Sequence, residues 1–325
     1  MIDQTSEVTL SIIIVNWNTR DITRNCLQSI REQVASVSYE VIVVDNASSD
    51  ASIEMIRAEF PEVRLIVNDV NAGFGRANNQ GMRVARGRYF LLLNSDTLVI
   101  DDSVQRLVSF VEGEAQIGIA GCKLLFEDRT LQGSCSRFPS IKIALLEDLM
   151  LYKFLSSRQQ GELLLNGYWK HDHTRDVDAV WGAAMLVRRE VFRQTGGFDE
   201  TIFMYGEDLE LCMRVRDLGW RITFAHDCRI VHLNHKSSEK KYGDERIDLC
   251  QKQAYEIYRR RTGVFPMSIL LLIHTAGALI RVCYFGLRAM ARGGARDYFS
   301  SQAKFYNRSL RYHLRAIAGR KLAIE

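Results

Sequence analysis

Proline is scarce, with three in 325 residues. No proline-rich linker, low-complexity tract or internal repeat divides the chain. The seven cysteines (26, 122, 135, 212, 228, 250 and 283) form no C-x-x-C pair. That argues for free thiols in a reducing compartment and against a disulfide framework or a zinc site. The opening stretch, MIDQTSEVTL, carries no basic segment ahead of an apolar one, so no secretory signal is expected. Glycine is absent where nucleotide folds commonly place it. The turn after the first apolar run reads NWNTRD, with no G-x-G-x-x-G, and no P-loop occurs elsewhere. Phosphates bound by this chain would therefore need another source of positive charge, and a metal ion supplies it.

What is present is ordinary in bulk: 47% hydrophobic and 25% charged residues, enough for one large domain or two moderate ones. The net charge of +4 hides an asymmetry. From Arg259 to Glu325, 13 lysines and arginines face two acids, a balance of +11, so residues 1–258 carry −7. An acidic body with a basic tail implies that the tail meets something anionic.

Along the body, apolar strands alternate with amphipathic helices. Strands are expected at 10–15, 40–44, 64–67 and 88–93, and helices at about 21–33, after Ser49 or Asp50, at 76–85 and at 101–112. This order argues for βαβ units and a parallel sheet. Each strand runs into Asn or Asp, which lines one sheet edge with polar side chains. The stretch RYFLLLNSDT (88–97) stands out. Phe90–Leu93 fits a strand buried on both faces. Asn94, Ser95 and Asp96 then stand beyond its carboxyl end, where open α/β sheets bind ligands. Asp96 is a hard oxygen donor suited to Mg²⁺ or Mn²⁺. The competing reading is that Ser95 or Asp96 caps the helix at 101–112.

Later elements are mixed: short strands at 117–121 and 123–126, an insertion at 140–175, a strand at 180–187, a turn at 196–199, a helix at 207–218 and closing strands at 221–225 and 229–233. The apolar run 264–280 is short for a membrane span, and arginines flank both of its ends. Arg308, Arg311 and Arg315, interleaved with Phe305, Tyr306 and Tyr312, suit a helix lying on an anionic leaflet. A packed helical subdomain is the alternative. No recognition motif supports nucleic acid as a partner.

In order, SIIIVNWN (11–18), VIVVDNASSD (41–50), NAGFGRANNQG (71–81), RGRYFLLLNSDT (86–97), WGAAMLVRR (181–189), GGFDE (196–200), GEDLELCMR (206–214) and VHLNH (231–235) resemble the family-2 glycosyltransferases. Within them the chain looks most like bacterial rhamnosyltransferase-type members. The resemblance implies a GT-A fold: an α/β, Rossmann-like mixed sheet flanked by helices, with a C-terminal helical, membrane-associating extension. The implied domains are a catalytic domain over 1–244, with a donor half at about 8–125 and an acceptor half at about 126–244, and a basic helical region over 245–325.

The resemblance also implies roles. Asp45 matches the acid that recognises a pyrimidine base, and Asn16, Asn71, Gly73, Asn78 and Asn79 complete the donor site. Asn94-Ser95-Asp96 occupies the place of the D-x-D metal motif, with Asn in place of its first acid. Asp208 matches the catalytic base, with Glu207 beside it, and His232 a metal ligand. Trp181 and Gly182 face the acceptor. The implied reaction is inverting transfer from dTDP-rhamnose or a UDP-sugar, with Mg²⁺ or Mn²⁺, to a saccharide held on polyprenyl diphosphate. The implied setting is peripheral, on the cytoplasmic face of a bacterial plasma membrane, in cell-envelope polysaccharide or O-antigen synthesis.

Each residue has a plainer reading. Glu207 and Asp208 suit a helix N-terminus. Glu210 and Arg214 read as an i,i+4 ion pair. Trp181 and His232 suit a core, Asp45, Asn78 and Asn79 suit caps or turns, and His235 is expected in solvent. Two function classes follow: a membrane-associated glycosyltransferase, or a catalytically inactive relative that serves as a binding or assembly subunit. The joint presence of Asp45, Asp96 and Asp208 favours the first.

Overall fold

The computed structural model describes residues 8–233, 245–290 and 296–318. Asn234 and His235 of the VHLNH motif, Arg292 and the expected domain boundary at 244 lie outside the described residues. The chain divides into two compact units. The first is residues 1–138 with 165–241; the second is 139–164 with 242–325. Residues 139–164, part of the insertion read from the sequence, thus group with the C-terminal helices.

In the first unit, strands β1 (Leu10–Asn16), β2 (Tyr39–Asp45), β3 (Arg64–Val67) and β4 (Tyr89–Asn94) alternate with helices α1 (Arg20–Gln33), α2 (Ser52–Glu59) and α3 (Phe74–Val84). The four strands are parallel in the order β3-β2-β1-β4. Their alternating side chains feed two apolar clusters. Ile12, Ile14, Leu91 and Leu93 join one; Ile13, Phe90 and Leu92 join the other. β4 is therefore buried on both faces, as its unbroken apolar run implies. The parallel register aligns Asn16 with Asp45, and Val15 with Asn94, so the polar strand ends share one edge.

The second half of the sheet is antiparallel where it joins the first. β11 (Ala184–Arg188) pairs antiparallel with β4 and with β6 (Ile117–Leu125), and β12 (Arg221–His232) pairs parallel with β6. Three expectations are corrected here. The strands expected at 117–121 and 123–126 form the single β6. Those at 221–225 and 229–233 form the single β12, whose register on β6 shifts between Ala225 and Arg229. The strand expected at 180–187 is broken instead. Ala179–Val180 pairs with Cys135–Ser136 in a small separate ribbon, and Trp181–Ala183 turns before β11 begins. The cause is that the Gly182 amide is taken by a carboxylate and not by a strand.

A strand unread in the sequence, β5 (Thr97–Val99), follows Asp96 directly and pairs with β12, His232 opposite Thr97. It excludes the capping reading of Ser95 and Asp96, because the next helix, α4 (Ser103–Glu112), starts seven residues after Asp96. After an edge turn, α8 (Glu207–Asp217) carries the acidic pair at its N-terminus.

The second unit is helical: Ile141–Asp148, Ser157–Leu164, Glu245–Thr262, Val264–Met290 and Arg296–Ile317. The helix Val264–Met290 is long and apolar enough to cross a membrane, yet it has two unlike faces. One packs inside the unit. There Gly277 lies so close to Asp148 that an added Cβ would come within 2.4 Å of the Asp148 Cβ. On that face Arg281 donates to the backbone carbonyls of Glu147 and Asp148. The other face exposes Phe265, Leu272, Leu279 and Leu287. The basic surface expected around Arg308 is partly spent: Arg308 pairs with Asp248 and Tyr312 is buried, while Arg311 and Arg315 are exposed.

Candidate functional site

Three groups of side chains stand along the carboxyl edge of the sheet. The first is built by β1 and β2. Asn16 Nδ2 donates to Asp45 Oδ2 (2.6 Å) and to Ser48 Oγ (3.0 Å). Its Oδ1 accepts from the hydroxyls of Thr19 and Thr23. Asp45 Oδ1 accepts from the Ser48 amide at 2.8 Å. Asp45 is fully buried, and the Thr19 hydroxyl reaches Ser95 Oγ at 3.2 Å. The group is a satisfied buried network, which holds the strand ends rigidly at the edge. Asn46, passed over in the sequence, ties the next loop down: its Oδ1 accepts from Asn68 Nδ2, and its Nδ2 donates to the Gly73 carbonyl.

The second group is assembled by the β5–β12 pairing. Asp96 Oδ1 lies 3.3 Å from His232 Nε2, and both side chains are nearly buried. Asn94 Nδ2 lies 3.4 Å from the same ring nitrogen. On the far side of the ring, His232 Nδ1 meets Gln132 Oε1 at 3.0 Å. The Gln132 contact holds the ring so that Nε2 faces Asp96. One oxygen and one nitrogen donor at this spacing fit Mg²⁺ or Mn²⁺ that completes its shell with phosphate oxygens and water. Among the described residues no group of three His, Cys, Asp or Glu side chains converges. Gln132 was also missed: a lone Gln on the two-residue strand Leu131–Gln132 carries no periodicity, and only the pairing of that strand with β6 brings it near His232.

The third group joins the loop before α3 to the start of α8. Asp208 Oδ2 accepts from the Gly182 amide (3.0 Å) and Oδ1 from the Leu209 amide (2.7 Å). Trp181 is half-buried, and Phe74 packs over Gly182. This group abuts the second, because the Asn94 amide donates to the Ala183 carbonyl. Burial raises Asp208, against the pull of its two amide donors. Burial, with the neighbouring Asp208 carboxylate, pushes Glu207 up to about 8. Both effects favour the neutral form of Glu207, and its Oε2 is buried without a partner. Glu210 and Arg214 do form their i,i+4 pair, doubly bonded, and Arg214 also holds the carbonyls of Thr195 and Gly197.

The loop residues divide. Asn71 Oδ1 accepts from the Gly73 amide, a local turn. Gly73 has φ +85°, and a Cβ there would lie 2.5 Å from the Phe203 carbonyl oxygen, so the position requires glycine. Asn78 is buried with Oδ1 unpartnered, as a ligand contact would leave it. Asn79 is spent otherwise: its amide bonds both backbone groups of Phe198 and the Glu200 carboxylate, so it holds the GGFDE turn.

Known proteins bear on this edge as follows. Residues 11–195 match the model of glycosyl transferase family 2, and residues 167–236 match that of the N-terminal domain of galactosyltransferase. The O-antigen biosynthesis protein RfbC of Myxococcus xanthus is 28% identical over 71% of this chain, which spans 18% of that protein. The N-acetylglucosaminyl-diphospho-decaprenol L-rhamnosyltransferase of Mycobacterium tuberculosis is 26% identical over 61% of this chain and 66% of its own length. A solved mannosyltransferase of Pyrobaculum calidifontis, in complex with GDP-Man and Mn²⁺, superposes with TM-score 0.59 at 18% identity. That superposition covers 99% of this chain and 90% of the other. It shows the shared fold.

Proposed function

Because the chain belongs to glycosyl transferase family 2 and has the GT-A fold, we propose that it moves a sugar, with inversion, from a nucleoside-diphosphate sugar to a hydroxyl of a saccharide acceptor. The observation that carries this reading is one edge holding both halves of the chemistry. Asp96 and His232 stand 3.3 Å apart at the end of β4, and Asp208 is anchored by Gly182 in the turn that follows the neighbouring ribbon. In the proposed reaction the acceptor oxygen attacks the anomeric carbon as the bond to the diphosphate breaks on the opposite side. Asp208 takes the hydroxyl proton; both its oxygens keep a free lone pair despite their amide donors. Asp96 and His232 would hold a divalent cation, which supplies positive charge against the leaving diphosphate. Gln132 orients the His232 ring, and Asn16 and Ser48 fix Asp45 for the base. Release of nucleotide from nucleotide sugars, with and without a saccharide acceptor, tests the whole reading. A chain that binds donor but neither transfers nor hydrolyses it would be the inactive relative instead.

The proposed donor is dTDP-rhamnose or a UDP-sugar. In competition against donor, dTDP and UDP are expected to bind more tightly than GDP. Tighter binding of GDP would exclude a pyrimidine-reading Asp45.

The orienting part assigned to Gln132 gives a second expectation. Gln132→Leu is expected to weaken Mn²⁺ binding, read by electron paramagnetic resonance, about 10–100-fold, as loss of an orienting partner commonly does. Unchanged Mn²⁺ affinity would leave Gln132 a packing residue.

The proposed location is the cytoplasmic face of a bacterial plasma membrane, where an acceptor on polyprenyl diphosphate is also held. Its support lies within the helical unit. On the helix Val264–Met290, Phe265 and Leu287 are 76% and 70% exposed, on the face opposite Arg281 and Gly277. Arg259, Arg260, Arg261 and Arg288 are exposed near its ends. With His274 and Arg281 engaged inside the unit, the helix suits a headgroup-level position better than a span. Each arginine near an anionic surface contributes roughly 1 kcal/mol, and the apolar stripe adds burial that salt does not screen. The chain is expected to sediment with phosphatidylglycerol vesicles and to be only partly released by high salt. The Leu272→Asp, Leu279→Asp double variant should become fully salt-releasable. A chain that stays in the supernatant at low salt would remove the membrane from the proposal.

A further inference from the structure

The helical unit holds a cavity of about 320 Å³, within the range of small-ligand sites. Four of its side chains form a relay. His274 Nε2 lies 3.4 Å from Asp148 Oδ2, His274 Nδ1 meets the Tyr255 hydroxyl, and that hydroxyl lies 3.1 Å from His313 Nε2. The proton positions follow from one end. An ionised carboxylate only accepts, so His274 carries its proton on Nε2 and accepts from Tyr255 on Nδ1. The Tyr255 oxygen then accepts from His313 Nε2–H. His313 Nδ1 is left a bare lone pair, without a partner, on a residue that is 3% exposed. Burial holds His313 down at about 4, so it stays a neutral acceptor at physiological pH.

A second acceptor stands beside it. Gln251 Nε2 donates to Ser309 Oγ at 2.7 Å, and Gln251 Oε1 is buried without a partner. Ser309 and His313 are one turn apart on the same helix, so their Cβ atoms lie about 5–6 Å apart. Arg281, the strong donor on the cavity wall, is already held by Asp148 and by backbone carbonyls. Phe305 and Tyr306 add aromatic surface to the same wall.

We propose that this cavity is a second, non-catalytic saccharide site. Two buried acceptors on facing helices of one cavity, Gln251 Oε1 and His313 Nδ1, call for two donors on one rigid ligand. Two ring hydroxyls of a pyranose supply them, and its C–H face packs on an aromatic wall. The Asp148 and Glu147 carboxylates on the wall disfavour an anionic ligand. The saccharide class rests on the glycosyltransferase reading above; the demand for two donors does not.

The test is nuclear magnetic resonance of the full chain with ¹⁵N-labelled histidine, titrated with methyl rhamnoside and methyl N-acetylglucosaminide. One of these is expected to shift the His313 Nδ1 resonance. Gln251→Leu should weaken that response about tenfold, the loss of one hydrogen bond, while leaving nucleotide-sugar hydrolysis unchanged. Asp96→Asn should leave the response intact even as it disables the donor site. Survival of the response in Gln251→Leu with its loss in Asp96→Asn would overturn the proposal, because the sugar would then sit at the sheet edge. A His313 resonance moved by neither glycoside would overturn it too, leaving a cavity for water or an ammonium ion. Should Gln251→Leu not fold, the wild-type titration decides alone. Loss of hydrolysis in the wild-type chain, by contrast, would count against the function proposed above and not against this cavity.

Discussion

Asp208→Asn is expected to lower turnover about 10²–10⁴-fold, the usual cost of removing a general base, with donor affinity by calorimetry nearly unchanged. Part of the effect would be structural, and its size can be bounded. The carboxylate accepts from two amides, Gly182 and Leu209. An Asn side chain can satisfy only one and turns its own donor toward the other. That mismatch costs on the order of 1–3 kcal/mol of local stability, which a melting curve separates from the chemical step. Glu207→Gln is the control. Burial beside Asp208 pushes Glu207 up, toward the neutral form that an amide imitates, and turnover should stay within a few-fold of wild type. The pH profile carries the same assignment. The base must be ionised, so kcat/KM should fall as pH falls through the Asp208 pKa, which burial raises above the ordinary carboxylate range. That acid limb should persist in Glu207→Gln. Wild-type turnover in Asp208→Asn, with loss in Glu207→Gln, would move the base to Glu207.

Chelation is the second large effect. EDTA is expected to abolish transfer, and Mn²⁺ or Mg²⁺ to restore it. The proposed site has one carboxylate, Asp96, because Asn94 stands where the family resemblance places an acid. Asp96, His232 and water alone would make a weak cation site, and diphosphate oxygens would strengthen it. Mn²⁺ should therefore bind weakly to the chain by itself and markedly more tightly once dTDP or UDP is present. Asp96→Asn should remove that synergy. Full transfer in excess chelator would exclude the metal from the mechanism.

Local pattern and long-range pairing differed in how far the sequence revealed them. The four parallel strands and their helices were legible because each apolar run is bounded by Asn or Asp, and the Phe90–Leu93 run feeds both faces of the sheet. The family pattern led to the sheet edge where Asp45, Asp96 and Asp208 now stand. What it could not reveal are features set by partners far along the chain. Thr97–Val99 is too short to read as a strand until β12 pairs with it. The turn at Trp181–Ala183 interrupts an apolar run only because Asp208 takes the Gly182 amide. Gln132 meets His232 across 100 residues. In the tail, the interleaving of arginine and aromatics could not separate Arg311, which is exposed, from Arg308, which Asp248 binds.

The close approach at Gly73 has a mechanical consequence. The Phe74 amide donates to the Phe203 carbonyl, Asn79 clasps Phe198, and Arg76 and Arg83 both reach Glu200. The segment so gripped leads straight into the helix that carries Asp208. The loop proposed to meet the donor and the proposed base are therefore linked through one gripped segment, with the close approach at the glycine as its anchor. A side chain added at Gly73 is expected to act not only at the proposed nucleotide site but also, through that segment, on the aim of the Asp208 carboxylate.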